Sequence, residues 1–483
     1  MELSKHDHQH TPNRFGVIPT PIRLNANPEF TGKGVTIAFL DSGFYPHPDL
    51  VTPRSRIVAY HDVTGERRPL VPTDSVEPWR WHGTQTTVAA AGNGHLSDGV
   101  YCGLAHECEL VLVKVSERGR ITEENIAQGI RWVIANRDRY NIRVLNISLG
   151  GDEDVPCSKS IIDQAAEEAI SHGIAVVAAA GNSGAEGRHS IPPANSPSVI
   201  TVGGYSDNNQ LNGNQICLYH SSYGITADGT IKPEIVAPAM WIAAPILPET
   251  AVYERAEALC RMAAAADYEL PTLARELEET AELPEQLIDS YPVEIRSYVE
   301  SALQQQKIVA AHYQHVDGTS FAAPIVASIV AQMVQANPKL TPGAIKNILI
   351  STAERIVTES VIRQGYGVVS ARRAVDLART EQHALNVAGC NPPRVENGRL
   401  LFVFHDDAAK SVSVAGEFNG WNESATPLMR DGSGLWSTEI AVSRAGRFEY
   451  KFVINGQRWL EDPSNGMKAP DNHGGLNSVL VIE

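Results

Sequence analysis

Cysteine is scarce and scattered. The 483 residues hold six, Cys102, Cys108, Cys157, Cys217, Cys260 and Cys390, and none forms a Cys-x-x-Cys pair. That excludes the usual thiolate zinc sites and redox motifs. Lone thiols are expected to be free and suit a reducing compartment. Positive charge is also short, with a formal balance of −16. Phosphate backbones and anionic lipids attract basic surfaces, so neither nucleic acid nor membrane is an expected partner. No stretch approaches the run of about 20 apolar residues that spans a bilayer. The N-terminus lacks the apolar segment of a secretory signal, which sets a cytoplasmic location as the expectation. Its three histidines, His6, His8 and His10, read either as a flexible tail or as a metal-binding one.

What is present has a rhythm. Apolar runs at 35–40, 110–115, 144–149, 175–180 and 199–202 alternate with helical patterns at 83–91, 122–136 and 160–172. Continuous apolar strands separated by helices predict an α/β fold, a doubly wound parallel sheet covered on both faces. Active sites of such sheets lie beyond the carboxyl ends of the strands. The segment 251–306 breaks the pattern. It is acidic, rich in Glu, Ala and Leu, and punctuated by Pro271, Pro284 and Pro292. Proline is tolerated in a first helical turn, so several short helices are expected, either as a solvated insertion or as a lid. Past a linker at 381–396, with Asn391-Pro392-Pro393, short alternating strands predict an antiparallel β-sandwich over 397–483. The division is then a leader at 1–30, a main domain at 31–380 and the C-terminal module.

Three segments carry chemistry. Asp41 ends an apolar strand in Leu40-Asp41-Ser42-Gly43. His82 opens a helix in His82-Gly83-Thr84. Ser320 opens another in Gly318-Thr319-Ser320-Phe321-Ala322-Ala323-Pro324. Taken singly they read as a turn aspartate, a structural histidine and a capping serine. Taken together they stand in one of the chain orders known for a serine–histidine–aspartate triad. Two further motifs are Asn146-Ile147-Ser148-Leu149-Gly150-Gly151 and Ala178-Ala179-Ala180-Gly181-Asn182-Ser183-Gly184.

With these five motifs in order, residues 30–380 resemble the subtilase family. The resemblance implies a serine endopeptidase with a subtilisin-like fold. Ser320 would be the nucleophile, His82 the general base and Asp41 the residue that orients it. Asn182 and the Ser320 backbone N–H would receive the oxyanion. Ser148, Leu149 and Gly150, with Ala180 and Gly181, would bind an extended substrate. Their lack of charge implies an apolar P1 side chain. The chemistry would need no cofactor. Structural calcium is common in the family, and Asp49 in His47-Pro48-Asp49-Leu50 matches one ligand position, while the loop around Ser97-Asp98 matches poorly. The alternative is an inactive scaffold of the same fold.

Residues 397–483 resemble glycogen-binding modules of the carbohydrate-binding family 48 type. The resemblance rests on Gly416-Glu417-Phe418-Asn419-Gly420-Trp421, Tyr450-Lys451-Phe452, Trp459-Leu460-Glu461-Asp462-Pro463 and Asn477. It implies α-glucan as a partner beside protein or peptide substrates, with Trp421, Lys451, Trp459 and Asn477 at the glucan. The two indoles could instead be core or rim residues of a module that only docks.

Overall fold

The computed structural model describes residues 16–65, 78–117, 119–151, 155–184, 190–211, 216–381, 393–396, 399–431, 434–441, 446–465, 467–471, 473 and 475–482. The histidine tail, Cys390 and most of the linker lie outside them. The five described cysteines take part in no disulfide.

Seven strands form the central sheet: β1 (Thr36–Asp41), β2 (Ile57–Asp62), β3 (Glu109–Lys114), β4 (Ile142–Ile147), β5 (Ala175–Ala179), β6 (Ile200–Ser206) and β7 (Ile235–Pro238). Their spatial order is β7-β6-β5-β4-β1-β3-β2, and every neighbouring pair is parallel. The short strand Cys217–Leu218 runs antiparallel beside β6. From β1 the chain builds one side of the sheet, then returns to place β4 on the other side. The carboxyl ends of β1 and β4 therefore diverge into a crevice. The sequence pattern located five of these strands within one to four residues at each end. It missed β2, an edge strand whose residues are mostly half-buried, and the four-residue β7.

The principal helices are α1 (Trp81–Ala91), α2 (Glu123–Ala135), α3 (Ile161–Ser171) and α4 (Thr319–Ala336). Helices α2 and α3 cover one face of the sheet, where Ile126, Ile130, Val133, Ile162 and Ala166 meet Leu40, Val113 and Ile147. Helix α4 crosses the other face with α1, burying Ile325, Val326, Ile329, Val330 and Met333 against Ile37, Phe39 and Val177. Contrary to the sequence expectation, this one helix has the length and apolar composition of a membrane span, yet most of it is buried within the domain. It is all but apolar on every side because protein surrounds it.

The acidic segment is a folded unit. Helices Ala251–Ala264, Leu270–Glu276 and Pro292–Gln305 share an apolar core of Leu259, Met262, Leu270, Ile295 and Val299. Pro271 and Pro292 stand in first turns, as the pattern predicts. Ile246 and Ile308 extend that core to the hairpin of Ile242–Pro245 and Tyr313–Val316 from which the unit springs.

The C-terminal module is a sandwich of two antiparallel sheets around Phe402, Phe404, Trp436, Tyr450 and Phe452. Strand Arg394–Glu396 pairs with residues 399–401, so the sandwich begins inside the expected linker. The module is docked on the main domain. A side chain at Gly343 would meet the Ser464 carbonyl at 1.7 Å, so only glycine allows the approach. Asn347 Nδ2 donates to the Asp462 and Pro463 carbonyls at 3.3 and 3.0 Å.

Candidate active site

Asp41 ends β1 inside the crevice, 2 % exposed. Ser42 N donates to its Oδ1 at 2.7 Å, and Thr86 Oγ1 to its Oδ2 at 3.3 Å. His82 lies in the first turn of α1, which starts at Trp81 rather than at Gly83. Its Nδ1 stands 2.8 Å from Asp41 Oδ1 and 3.0 Å from Oδ2. Gly83 makes this possible. A Cβ there would sit 2.3 Å from the Gly43 carbonyl oxygen and 2.9 Å from Asp41 Cβ, so α1 could not approach the strand end.

The His82 imidazole is pulled in two directions. Burial lowers its pKa, while the Asp41 charge and hydrogen bond raise it, and the net shift is upward from 6.5. A raised histidine pKa stabilises the folded chain below the unfolded value, and this contribution is lost as pH rises through the folded one. A general base must be neutral. We therefore expect the acid limb of a kcat/KM–pH profile to have its midpoint above 6.5, whereas a limb below that value would contradict the Asp41–His82 pairing.

Ser320 is the second residue of α4, where backbone N–H groups have no partner within the helix. Proline at position 324 lacks the N–H that would bond the Ser320 carbonyl. That carbonyl instead accepts from Ser148 Oγ at 2.9 Å, and Asn146 Nδ2 supports the hydroxyl at 3.1 Å. The end of β4 is thereby tied to the start of α4. Ser320 Oγ donates to the Ser148 carbonyl at 3.4 Å. The next residue, Phe321, has its ring 6.0 Å from that of His82, so nucleophile and base share the crevice. Catalytic hydrogen bonds often close only when substrate binds.

Asn182 follows β5 at an exposed position. Its Oδ1 accepts from Thr319 N and Thr319 Oγ1, both at 3.0 Å. Thr319 Oγ1 in turn accepts from Gly181 N at 3.2 Å. This chain fixes the amide with its oxygen spent and, among the described residues, no acceptor taken by its Nδ2. Thr319 was not singled out from sequence, although it sits in the serine motif. Its role emerges only when β5 and α4 meet.

Ser148, Leu149 and Gly150 leave the sheet two residues before the strand pattern predicts, since β4 ends at Ile147. Among the described residues neither Leu149 nor Gly150 spends its N–H or C=O on other main chain. An extended peptide can pair with such an edge. Ala180 is buried beside it, and Gly181 accepts from Ser222 N.

Asp49 serves another purpose. Tyr313 donates to its Oδ2 at 2.7 Å and Leu96 N to its Oδ1 at 3.1 Å. The Arg56 guanidinium donates to its carbonyl at 2.7 Å. Calcium needs six to eight oxygen ligands, and an adjacent guanidinium repels it. Among the described residues no three His, Cys, Asp or Glu side chains gather as a metal site. The arrangement does not fit calcium at Asp49.

In the module, the Trp421 and Trp459 rings lie 6.4 Å apart at 36°. Trp421 occupies a left-handed turn after Gly420, at φ 60°. Trp459 lies on an edge strand, 41 % exposed. Lys451 Nζ donates to Asp471 Oδ2 and Asn477 Nδ2 to Glu449 Oε2, at 2.7 and 2.8 Å. Lys451, Trp459 and Asn477 thus lie on one sheet, on the face opposite the core residues Tyr450, Phe452 and Leu480, and Trp421 reaches that face from its turn through the ring of Trp459.

Comparison with known proteins agrees with this geometry. Residues 32–369 match the Subtilase family. Residues 388–468 match carbohydrate-binding module 48, the isoamylase N-terminal domain. Serine protease AprX of Bacillus subtilis (strain 168) is 32 % identical over 355 residues, covering 71 % of this chain and 67 % of the relative. Subtilisin E of the same organism is 37 % identical over 189 residues, covering 38 % and 43 %. A crystal structure of a cold adapted subtilisin-like serine proteinase covers 74 % of this chain and 94 % of its own, at 22 % identity and a TM-score of 0.44. The chain belongs to the subtilase family of serine peptidases and carries a carbohydrate-binding module at its C-terminal end.

Proposed function

We propose that the chain is an active endopeptidase that cuts extended protein segments by acyl transfer to Ser320, and that its module holds it on α-glucan. The observation that carries the first part is the ordered Asp41–His82 pair opening onto the crevice that also holds Ser320 and the oriented Asn182 amide. In this reading the substrate backbone pairs with Leu149 and Gly150. His82 Nε2 takes the Ser320 proton as Oγ attacks the scissile carbonyl. Asn182 Nδ2 and Ser320 N–H receive the oxyanion, and removing one such donor typically slows turnover by roughly 10²–10³. His82 then protonates the leaving amine, and water reverses the sequence on the acyl-enzyme. Uncharged neighbours such as Leu149, Gly150 and Ala180 favour an apolar side chain at P1.

A fluorophosphonate probe tests the reading directly. The folded chain should be labelled once, on Ser320. Absence of label on folded protein, with segment 251–306 present and with it deleted, would leave an inactive scaffold.

The module's tryptophans support the second part, because two tilted indoles, Trp459 exposed and Trp421 half-buried, can cover successive sugar rings. In the full chain, Trp459→Ala and Trp421→Ala should each weaken maltooligosaccharide binding by about fivefold or more. Aromatic stacking is worth about 1–3 kcal/mol per nucleic-acid base, and sugars fall toward the low end. Trp459 is outside the sandwich core, so its replacement should leave the melting temperature unchanged. Affinity electrophoresis beside a thermal melt reads both. No retention of the parent chain on glycogen would reduce the module to docking.

A further inference from the structure

Between the main domain and the module lies a cavity of about 220 Å³ that neither peptide hydrolysis nor the tryptophan pair uses. Its walls come from both sides. Ile231, Pro233 and Val361 face Met467, Val479 and Val481 across it. Beneath the apolar walls, Glu234 binds two lysines, Lys232 at 2.7 Å and Lys346 at 2.6 Å, so one carboxylate offsets only one of the two cations there.

Two other cations line the same space, Arg355 and Lys468; neither is within ion-pair distance of a described carboxylate, although the Glu461 and Asp462 charges act on Lys468 and Asp228 stands in the cavity wall. Arg355 is exposed and makes no hydrogen bond to a described residue. Lys468 Nζ donates to the Asp462 carbonyl and Ser478 Oγ, at 2.7 and 3.0 Å, which leaves one of its three N–H groups. The cost of burial pushes its pKa down to about 8, so it still carries charge at neutral pH and would gain from an anion. A third cation, Arg447, is held at the cavity by Glu449 at 2.8 Å.

We propose that this interdomain cavity is a binding site for a small monoanionic amphiphile, a medium-chain carboxylate, with its tail among Pro233, Val361 and Val481 and its carboxylate between Arg355 and Lys468. Ligand sites favour domain interfaces and apolar walls with a few placed polar groups. The cavity is small by that standard, which suits a chain of about ten heavy atoms rather than a sugar oligomer. Because both domains supply the walls, occupancy favours the docked arrangement.

Calorimetry of the full chain with octanoate tests this, with octanamide and octylammonium as controls. Octanoate should bind saturably at one site, and both controls should bind at least tenfold more weakly. Two substitutions at exposed positions act on different halves of the ligand. Arg355→Glu should reduce octanoate affinity tenfold or more by reversing the charge. Val361→Trp should reduce it similarly by filling the tail region. Absence of saturable binding would overturn the proposal. So would octylammonium binding as well as octanoate, or unchanged affinity in folded Val361→Trp protein.

Discussion

Ser320→Ala is expected to abolish peptidase activity, lowering kcat roughly 10⁶-fold, the size of loss known for the nucleophile in subtilisin. The fold should hardly notice. Among the described residues the hydroxyl makes one long contact, 3.4 Å to the Ser148 carbonyl, and a hydrogen bond of that length falls outside the usual range. Ser148 Oγ bonds the Ser320 carbonyl, which the substitution keeps. The melting temperature should therefore stay within about 3 °C of the parent. A residual rate above water is expected from substrate pairing and the oxyanion donors. Retention of more than a tenth of parental turnover would refute the assignment of Ser320. A large fall in melting temperature would instead show that the loss reflects unfolding.

How much of this was legible beforehand depends on how locally each feature is encoded. The parallel sheet was readable because a strand buried on both faces must be a continuous apolar run, as in Ile37, Ala38, Phe39 and Leu40. Strand β2 escaped because an edge strand is only half-buried, and Tyr60, His61 and Asp62 break the run. The candidate triad was legible as three motifs in order, since each lies at the end of a strand or the start of a helix. Thr319 was not, because its task needs Gly181 and Asn182 from another strand beside it. The bond from Ser148 to Ser320 was half legible. Proline 324 announces a carbonyl without a helical donor, but no spacing tells which side chain will answer it. Asp49 shows the opposite case. Its motif suggested a calcium ligand, and the hydroxyl that occupies it belongs to Tyr313, 264 residues away.

Asp41→Asn should be the second most damaging change, lowering kcat by roughly 10⁴, as the same substitution does in another serine protease. The reason is the direction of one proton. Ser42 N donates to Oδ1 at 2.7 Å, so the amide oxygen of an asparagine settles there. The new NH₂ then replaces Oδ2, 3.0 Å from His82 Nδ1. It competes for that nitrogen with the oxygen at Oδ1, 2.8 Å away, and wherever it donates, the imidazole proton moves to Nε2 and blocks acceptance of the serine proton. The turned amide is no remedy, because it sets NH₂ against Ser42 N–H. The charge is lost as well. Burial already lowers the His82 pKa and only Asp41 raises it, so in the variant the imidazole should titrate below 6.5. Two readouts then separate this role from a merely structural one. The rate falls by orders of magnitude, and the histidine resonance titrates at lower pH, while the melt stays cooperative. A tenfold loss with an unmoved histidine titration would mean that Asp41 does not orient the base.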